Sequence, residues 1–390
     1  MNKHKTLTRF YAAVQASFWM SYCVAVSYAV VYLQDFGYSN AVIGLITALG
    51  NLLGALLGPL LSAWIDRSER VGAATLCPPM LLLQLLTLVL LCLFPQRGAV
   101  TCLSFALYIC FSLSVNSLNL KLYTDAVYAG LVLDYGFARG MGSLAYVLVS
   151  VVLGIVIGYS SVRSLPVAGI LLCLLQFAAF FLLMRHLPRT GGSRREERPR
   201  ASSSTLFLRE NKRFCLLLLG TAILFLAHST VGNYLINVTR NVGGNATTMG
   251  FLNGFMAAVE IPVIMFFTPL FGKRSSASLL RLAFACFSLK ALAIALSASV
   301  AQLAAAFLLQ APSFALYTAA IVPYVGRIVR YQDSAKAQSL AFAMTTLGSV
   351  LSNVLGGWLF DHTTANATLW IAFCVSAVGT AVALLGVRKT

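Results

Sequence analysis

Glu260 and Lys290 each lie near the middle of a long apolar run. At ~1.5 Å per helical residue, that position is close to the mid-depth of a bilayer. An unpaired charge there costs ~2.5–3.5 kcal/mol even on the lenient insertion scale, so a mutual Glu260–Lys290 ion pair is expected. A carboxylate so placed can take up a proton and release its cation, which is the chemistry of coupling rather than of bond cleavage. A static pair that only fixes helix packing is the plainer alternative. His228, between Ala227 and Ser229 in another apolar run, is a second candidate for proton relay, against the commoner role of a hydrogen-bonded packing residue. Gln310 shares a helix face with Ser313 or Phe314 and with Tyr317, as suits a wall that hydrogen-bonds a polar solute. Trp19 and Tyr22, with Gln15, offer a similar surface in the first run, and Asn116 and Asn119 add polar groups in the fourth. For all of these, interhelical hydrogen bonding worth under ~1 kcal/mol each is the competing reading.

The elements that must hold these residues are read from composition. The 390 residues are 59% hydrophobic and only 10% charged, which a soluble domain of this length would not tolerate. About twelve spans of ~20 residues follow, at 9–33, 40–63, 71–94, 99–120, 139–160, 163–184, 213–238, 247–271, 278–298, 300–326, 335–360 and 367–387. The net charge of +17 falls at the N-terminus and in alternate loops, while the intervening loops hold only Arg97, Arg163 and Arg240. This is the positive-inside pattern, and it predicts cytoplasmic termini. It is not the clustered basic face of a nucleic-acid binder.

Between residues 186 and 212 the chain turns polar, basic and rich in Pro, Gly and Ser, as a cytoplasmic tether would be. The expected organisation is therefore a six-helix unit at 1–185, a linker at 186–212 and a second six-helix unit at 213–390. Ser104–Tyr108 recurs as Ser313–Tyr317 in spans four and ten. Pro59-Leu60 is answered by Pro269-Leu270, and Ser143–Tyr146 by Ser339–Phe342. Three matches in one order favour parallel repeats. Gly50, Gly54 and Gly58 form a small-residue seam for close helix approach. The nine cysteines have no metal-ligand spacing, and no phosphate loop or nucleophile elbow occurs. No enzyme activity, cofactor or metal is expected. Sequons begin at Asn237, Asn245 and Asn366, a number chance would supply.

Several segments resemble a known family. Tyr32-Leu33-Gln34, Ile43-Gly44-Leu45, and Gly58-Pro59 leading to Asp66-Arg67-Ser68-Glu69-Arg70 resemble the first spans and gating loop of the major facilitator superfamily. Ser62 stands where that motif usually has glycine. Tyr135 to Ser143, followed by Tyr146, resembles span five of its oligosaccharide and nucleoside proton-symporter branch. Leu122-Tyr123-Thr124-Asp125 resembles the acidic end of span four there. The resemblance implies a solute site of Arg139, Ser143, Tyr146 and Asp125, the first three sharing one face at i, i+4 and i+7. It also implies a gate at Asp66, Arg67 and Arg70. Glu260-Ile261-Pro262 resembles span eight, and Lys290 falls where the branch carries a span-nine Arg. The branch's His and Glu in span ten are here Gln310 and Ser313, which moves any proton coupling to Glu260.

The expectation is an all-α, twelve-span membrane protein of two pseudo-symmetric six-helix bundles around a midplane cavity. It would act as a monomer in the inner (plasma) membrane, moving a sugar, nucleoside or small organic acid by alternating access with proton symport. Its partners would be the solute, protons and the lipid bilayer, with no nucleic acid. Drug efflux is the alternative within transport, although span five lacks the Gly-Pro element of such antiporters. A transport-silent sensor is the alternative outside it.

Overall fold

The computed structural model describes residues 2–68, 71–187, 209, 211–330 and 333–388. Arg70 and the 188–208 stretch of the expected linker lie outside the described residues. Every regular element among the described residues is helical, and twelve helices are long and apolar enough to cross a bilayer. Spans one to six run Lys5–Asp35, Asn40–Arg67, Ala73–Leu93, Ala99–Tyr128, Tyr135–Tyr159 and Ser164–His186. Spans seven to twelve run Lys212–Asn233, Ala246–Met265, Ser276–Ala295, Val300–Ile328, Lys336–His362 and Ala365–Gly386. Only helices satisfy their own backbone in hydrocarbon, so an apolar chain of this kind resolves into such segments.

The helices form two compact units, Met1–Arg195 and Glu196–Thr390. Each has its own packed interior. The first is built around Phe18, Leu81, Leu118 and Phe180, with a second cluster at Leu7, Tyr11 and Leu183. The other centres on Phe214, Phe284, Phe287, Tyr317 and Tyr324. Outward faces stay apolar: Leu45, Leu49, Leu52, Leu56 and Leu60 of span two are all about half exposed. Lipid tails are as apolar as leucine, so nothing drives these side chains inward, and close packing holds the interior together. The expected glycine seam is present. Gly50, Gly54 and Gly58 face Ala106, Leu113 and Ser117 of span four, and a Cβ on Gly50 would meet the Ala106 carbonyl oxygen at 2.6 Å.

The sequence reading treats spans one, seven, eight and ten as continuous helices, but the structure interrupts them. Span one breaks at Ser27-Tyr28 before the short helix Ala29–Asp35, and span seven breaks at Tyr234 before Leu235–Asn241. These breaks are equivalent in the two units. Tyr28 donates to the Ser150 carbonyl in span five, and Tyr234 donates to the Asn353 carbonyl in span eleven. Each short helix is followed by a glycine at positive φ, Gly37 at 75° and Gly243 at 82°, a conformation that favours a residue without Cβ. Ser39 and Asn245 then cap spans two and eight. The repeat inferred from short sequence matches is thus reproduced in breaks, turns and caps. Asn245, first residue of a sequon, spends its side-chain oxygen on the Thr248 amide at 2.9 Å.

Candidate functional site

In the C-terminal unit four polar side chains from four spans are joined in series. The Glu260 carboxylate accepts from Gln310 Nε2 at 2.7 Å. Gln310 Oε1 accepts from Lys290 Nζ at 2.7 Å. Lys290 Nζ lies 2.9 Å from His228 Nδ1. An ammonium can only donate, so Nδ1 accepts and the imidazole proton sits on Nε2. Among the described residues no direct Glu260–Lys290 ion pair occurs. That corrects the simple pairing expected from sequence: the Gln310 amide is inserted between the two charges.

Local sequence makes this arrangement possible. Span ten passes from α-helix Val300–Phe307 through a 3-10 turn at Leu308–Gln310 into a π turn at Ala311–Ala315. Pro312 lacks the amide that would bond back to residue 308, so the helix loosens there. Gln310 projects from this junction. One turn later Phe314 stacks on His228, with centroids 5.3 Å apart, while Phe287 and Phe225 meet the same imidazole edge-on. Lys290 Nζ lies 5.1 Å from the Phe287 ring centroid. Lys290 and Gln310 are each 4% exposed, whereas Glu260 and His228 are only half-buried. The series therefore has two reachable groups and a sealed cation–amide contact between them. Pro262, two residues past Glu260, removes another helix amide, and the helix of span eight ends at Met265.

The N-terminal unit carries a separate cluster. Asp134 caps span five by accepting from the Phe137 amide at 2.9 Å, and Arg139 follows within the next turn. Arg139 Nη1 donates to Ser143 Oγ at 2.7 Å. The guanidinium carbon sits 4.0 Å from the Trp19 ring centroid, a cation–π contact worth roughly 0.5–2 kcal/mol. Trp19 meets Tyr22 at 5.3 Å and Tyr146 at 6.4 Å, both edge-on. Tyr146 is steadied by a hydroxyl contact of 2.5 Å to Ser27. Among the described residues Trp19 Nε1 is buried without a hydrogen-bond partner, beside a half-buried guanidinium. Gly142 admits the indole, since a Cβ there would lie 2.5 Å from Trp19 Cδ1.

Five expected site residues, Arg139, Ser143, Tyr146, Trp19 and Tyr22, are thus brought together, and Glu260, Gln310, Lys290 and His228 form a second group. Others are placed elsewhere. Lys121 Nζ lies 2.9 Å from Asp125 and 2.9 Å from Asp66. Asp125 and Lys121 are one helical turn apart, so the carboxylate expected beside Arg139 pairs instead within its own helix. Asp66, expected to act with Arg67 and Arg70, reaches this same lysine, and Arg67 has no ion pair among the described residues. Tyr317 is 2% exposed and packs with Phe225, Phe284 and Phe287. It is a core residue, not a wall facing solute. Asn119 is 1% exposed, with its backbone oxygen accepting from Tyr11 and its Oδ1 approached by Cys77. Gly142, Ser27 and Lys121 were not singled out by sequence reasoning. Only Lys121, at i, i+4 from Asp125, carried a readable signal.

The MFS_1 like family profile matches residues 18–372. No curated protein sequence matches this chain. Among solved structures, the chain is similar to the nucleoside transporter NupG, with 15% identity and a TM-score of 0.77 over 100% of both chains. A point mutant of NupG gives 14% and 0.78 over 99% of this chain and 100% of that one. An auto-inhibited POT family peptide transporter gives 12% and 0.73, covering 98% of this chain and 96% of its own. At such identities the likeness is one of fold.

Proposed function

The chain belongs to the MFS_1 like family of the major facilitator superfamily, and from that membership we propose that it is a proton-coupled symporter of a small polar organic solute, with nucleosides the first class to test. It works by alternating access as a monomer in the inner (plasma) membrane, both termini cytoplasmic. The observation that carries the proposal is the hydrogen-bonded Glu260–Gln310–Lys290–His228 series. An ionisable set near the middle of membrane spans is costly to keep and marks a proton or solute path. Glu260, half-buried, is the group that exchanges a proton with water. Arg139, held by Ser143 and stacked on Trp19, is the solute-binding group of the N-terminal unit. Its guanidinium can only donate, which suits solute hydroxyl and carbonyl oxygens. Aromatic faces at Trp19, Tyr22 and Tyr146 suit a ring. The structural similarity to NupG favours a nucleoside within that class.

The test is uptake of radiolabelled uridine, with lactose and benzoate as comparators, into proteoliposomes bearing an inward proton gradient. Concentrative uptake of one of them is expected. It should collapse when a protonophore is added and should be absent in Glu260→Gln, which still exchanges solute down its gradient. Accumulation by Glu260→Gln at the wild-type level would remove Glu260 from the coupling role. Export of solute in response to the gradient would point to an antiporter.

A further inference from the structure

We propose that Gln310 is a hydrogen-bond inverter that transmits protonation of Glu260 to Lys290 by turning over its side-chain amide. The proposal rests on the symport reading only for its purpose; the chemistry stands on the geometry. An ionised carboxylate can only accept and an ammonium can only donate. The amide between them is therefore forced to point Nε2 at Glu260 and Oε1 at Lys290, as the 2.7 Å contacts show. When Glu260 takes a proton from water, an O–H bond forms on the carboxylate; the neutral carboxyl gains a donor, and its remaining oxygen holds Nε2–H more weakly than the carboxylate did. The amide carbonyl of Gln310 becomes its acceptor once the amide turns about the Cγ–Cδ bond. That turn presents Nε2–H to Lys290, which is itself a donor.

Two donors cannot share a hydrogen bond, so the Lys290 ammonium gives up Gln310 and keeps His228 Nδ1 as its acceptor. The four-residue set gains one proton and one positive charge, and no other covalent bond changes. The outcome is a cation that loses one of its two acceptors only after the proton has bound. This order of events is what symport needs. A direct Glu260–Lys290 ion pair would release its cation on protonation too, but Gln310 makes that release a switch of hydrogen-bond direction rather than a fading of charge attraction.

Burial favours the device. Gln310 and Lys290 are sealed at 4% exposure, so no water competes readily for their hydrogen bonds, while Glu260 is open enough to be protonated. The titratable groups about the amide are Glu260 on span eight, Lys290 on span nine and His228 on span seven. Tyr317, on span ten itself, packs against the same Phe225 and Phe287 rings that flank His228. The irregular 3-10 and π turns on either side of Gln310 leave its backbone less tightly held than a regular helix would.

His228 is the remote reporter. The chain has only four histidines, so selective nitrogen-15 labelling and magnetic resonance of the purified protein in lipid can follow His228 Nδ1, assigned with His228→Asn. The Glu260 carboxyl is followed by its infrared C=O band, assigned with Glu260→Gln. In the wild type the His228 Nδ1 signal should shift with pH at the same midpoint as the Glu260 band. Glu260→Gln should abolish the His228 shift. Gln310→Met, similar in length but unable to invert, should keep the Glu260 band and lose the His228 shift. If Gln310→Met does not fold, Gln310→Glu provides the check. Facing carboxylates hold a shared proton to higher pH, so its His228 midpoint should rise by at least one pH unit.

A His228 signal silent in the wild type overturns the proposal. So does one that still shifts in Glu260→Gln or Gln310→Met, or a Gln310→Glu midpoint that stays put. Uptake is measured separately: loss of proton-driven transport with intact His228–Glu260 co-titration would sink the symport reading and leave the inverter standing.

Discussion

Gly142→Ala tests whether the Trp19–Arg139 stack shapes the N-terminal cluster. The new Cβ would lie 2.5 Å from Trp19 Cδ1 and 3.3 Å from Cγ and Nε1, against an ordinary carbon contact of about 3.5–4.0 Å. The indole must therefore retreat by roughly 1 Å or the two spans must part. Parting spans one and five is overpacking and costs about 1–3 kcal/mol. Retreat of the indole instead loosens the 4.0 Å stack on the Arg139 guanidinium, a contact worth about 0.5–2 kcal/mol. Since about 1.4 kcal/mol is tenfold in affinity, solute affinity should fall by roughly 2- to 30-fold.

The assay is uridine uptake or binding alongside Trp19 fluorescence in a background where Trp64, Trp358 and Trp370, the other three of the four tryptophans, are replaced by phenylalanine. A changed emission with a raised KM is expected, with thermal stability lowered only modestly. An unchanged emission with a KM within twofold of wild type would show that Gly142 does not seat the indole. A changed emission with unaltered KM would show that the stack has no part in solute binding.

Three further outcomes follow from the geometry. The two charges joined through Gln310 lie roughly 7 Å apart, so at an effective dielectric of about 20 they couple by about 2 kcal/mol. A double-mutant cycle of Glu260→Gln and Lys290→Met on unfolding stability should return that magnitude; about 5 kcal/mol or more would indicate direct contact. Tyr317→Phe should leave the uptake KM within twofold of wild type, because Tyr317 is a core residue; a tenfold rise would return it to the solute site. Lys121→Met leaves Asp66 and Asp125 without their shared cation, and the partial exposure of these groups limits the loss to about 1 kcal/mol. Added Asp125→Asn should restore part of that stability, which thermal unfolding at low salt would register.

Much of the molecule was legible in its residues because a bilayer imposes few solutions. Apolar runs long enough to span must be helical, and the expected twelve spans match those of the structure to within several residues. Glu260 and Lys290 stood out since charge amid apolar residues is costly wherever it packs. Short repeats such as Ser104–Tyr108 and Ser313–Tyr317 indicated two related units. The equivalent breaks at Tyr28 and Tyr234, each anchored to a span-five or span-eleven carbonyl, agree with that relation.

What the residues alone could not decide was partnership. Gln310 is fifty positions from Glu260 and twenty from Lys290, and its bridging role depends on spans eight, nine and ten meeting at one depth. Asp125 could reach an arginine in the next helix or a lysine one turn back, and helix packing chose the lysine. Tyr317 repeats the pattern of Tyr108, but whether such a ring faces solute or core is set by its neighbours. Periodicity specifies a helix and its faces, whereas the rotation of one helix against another is fixed by packing between distant segments. That rotation put an amide between the carboxylate and the ammonium.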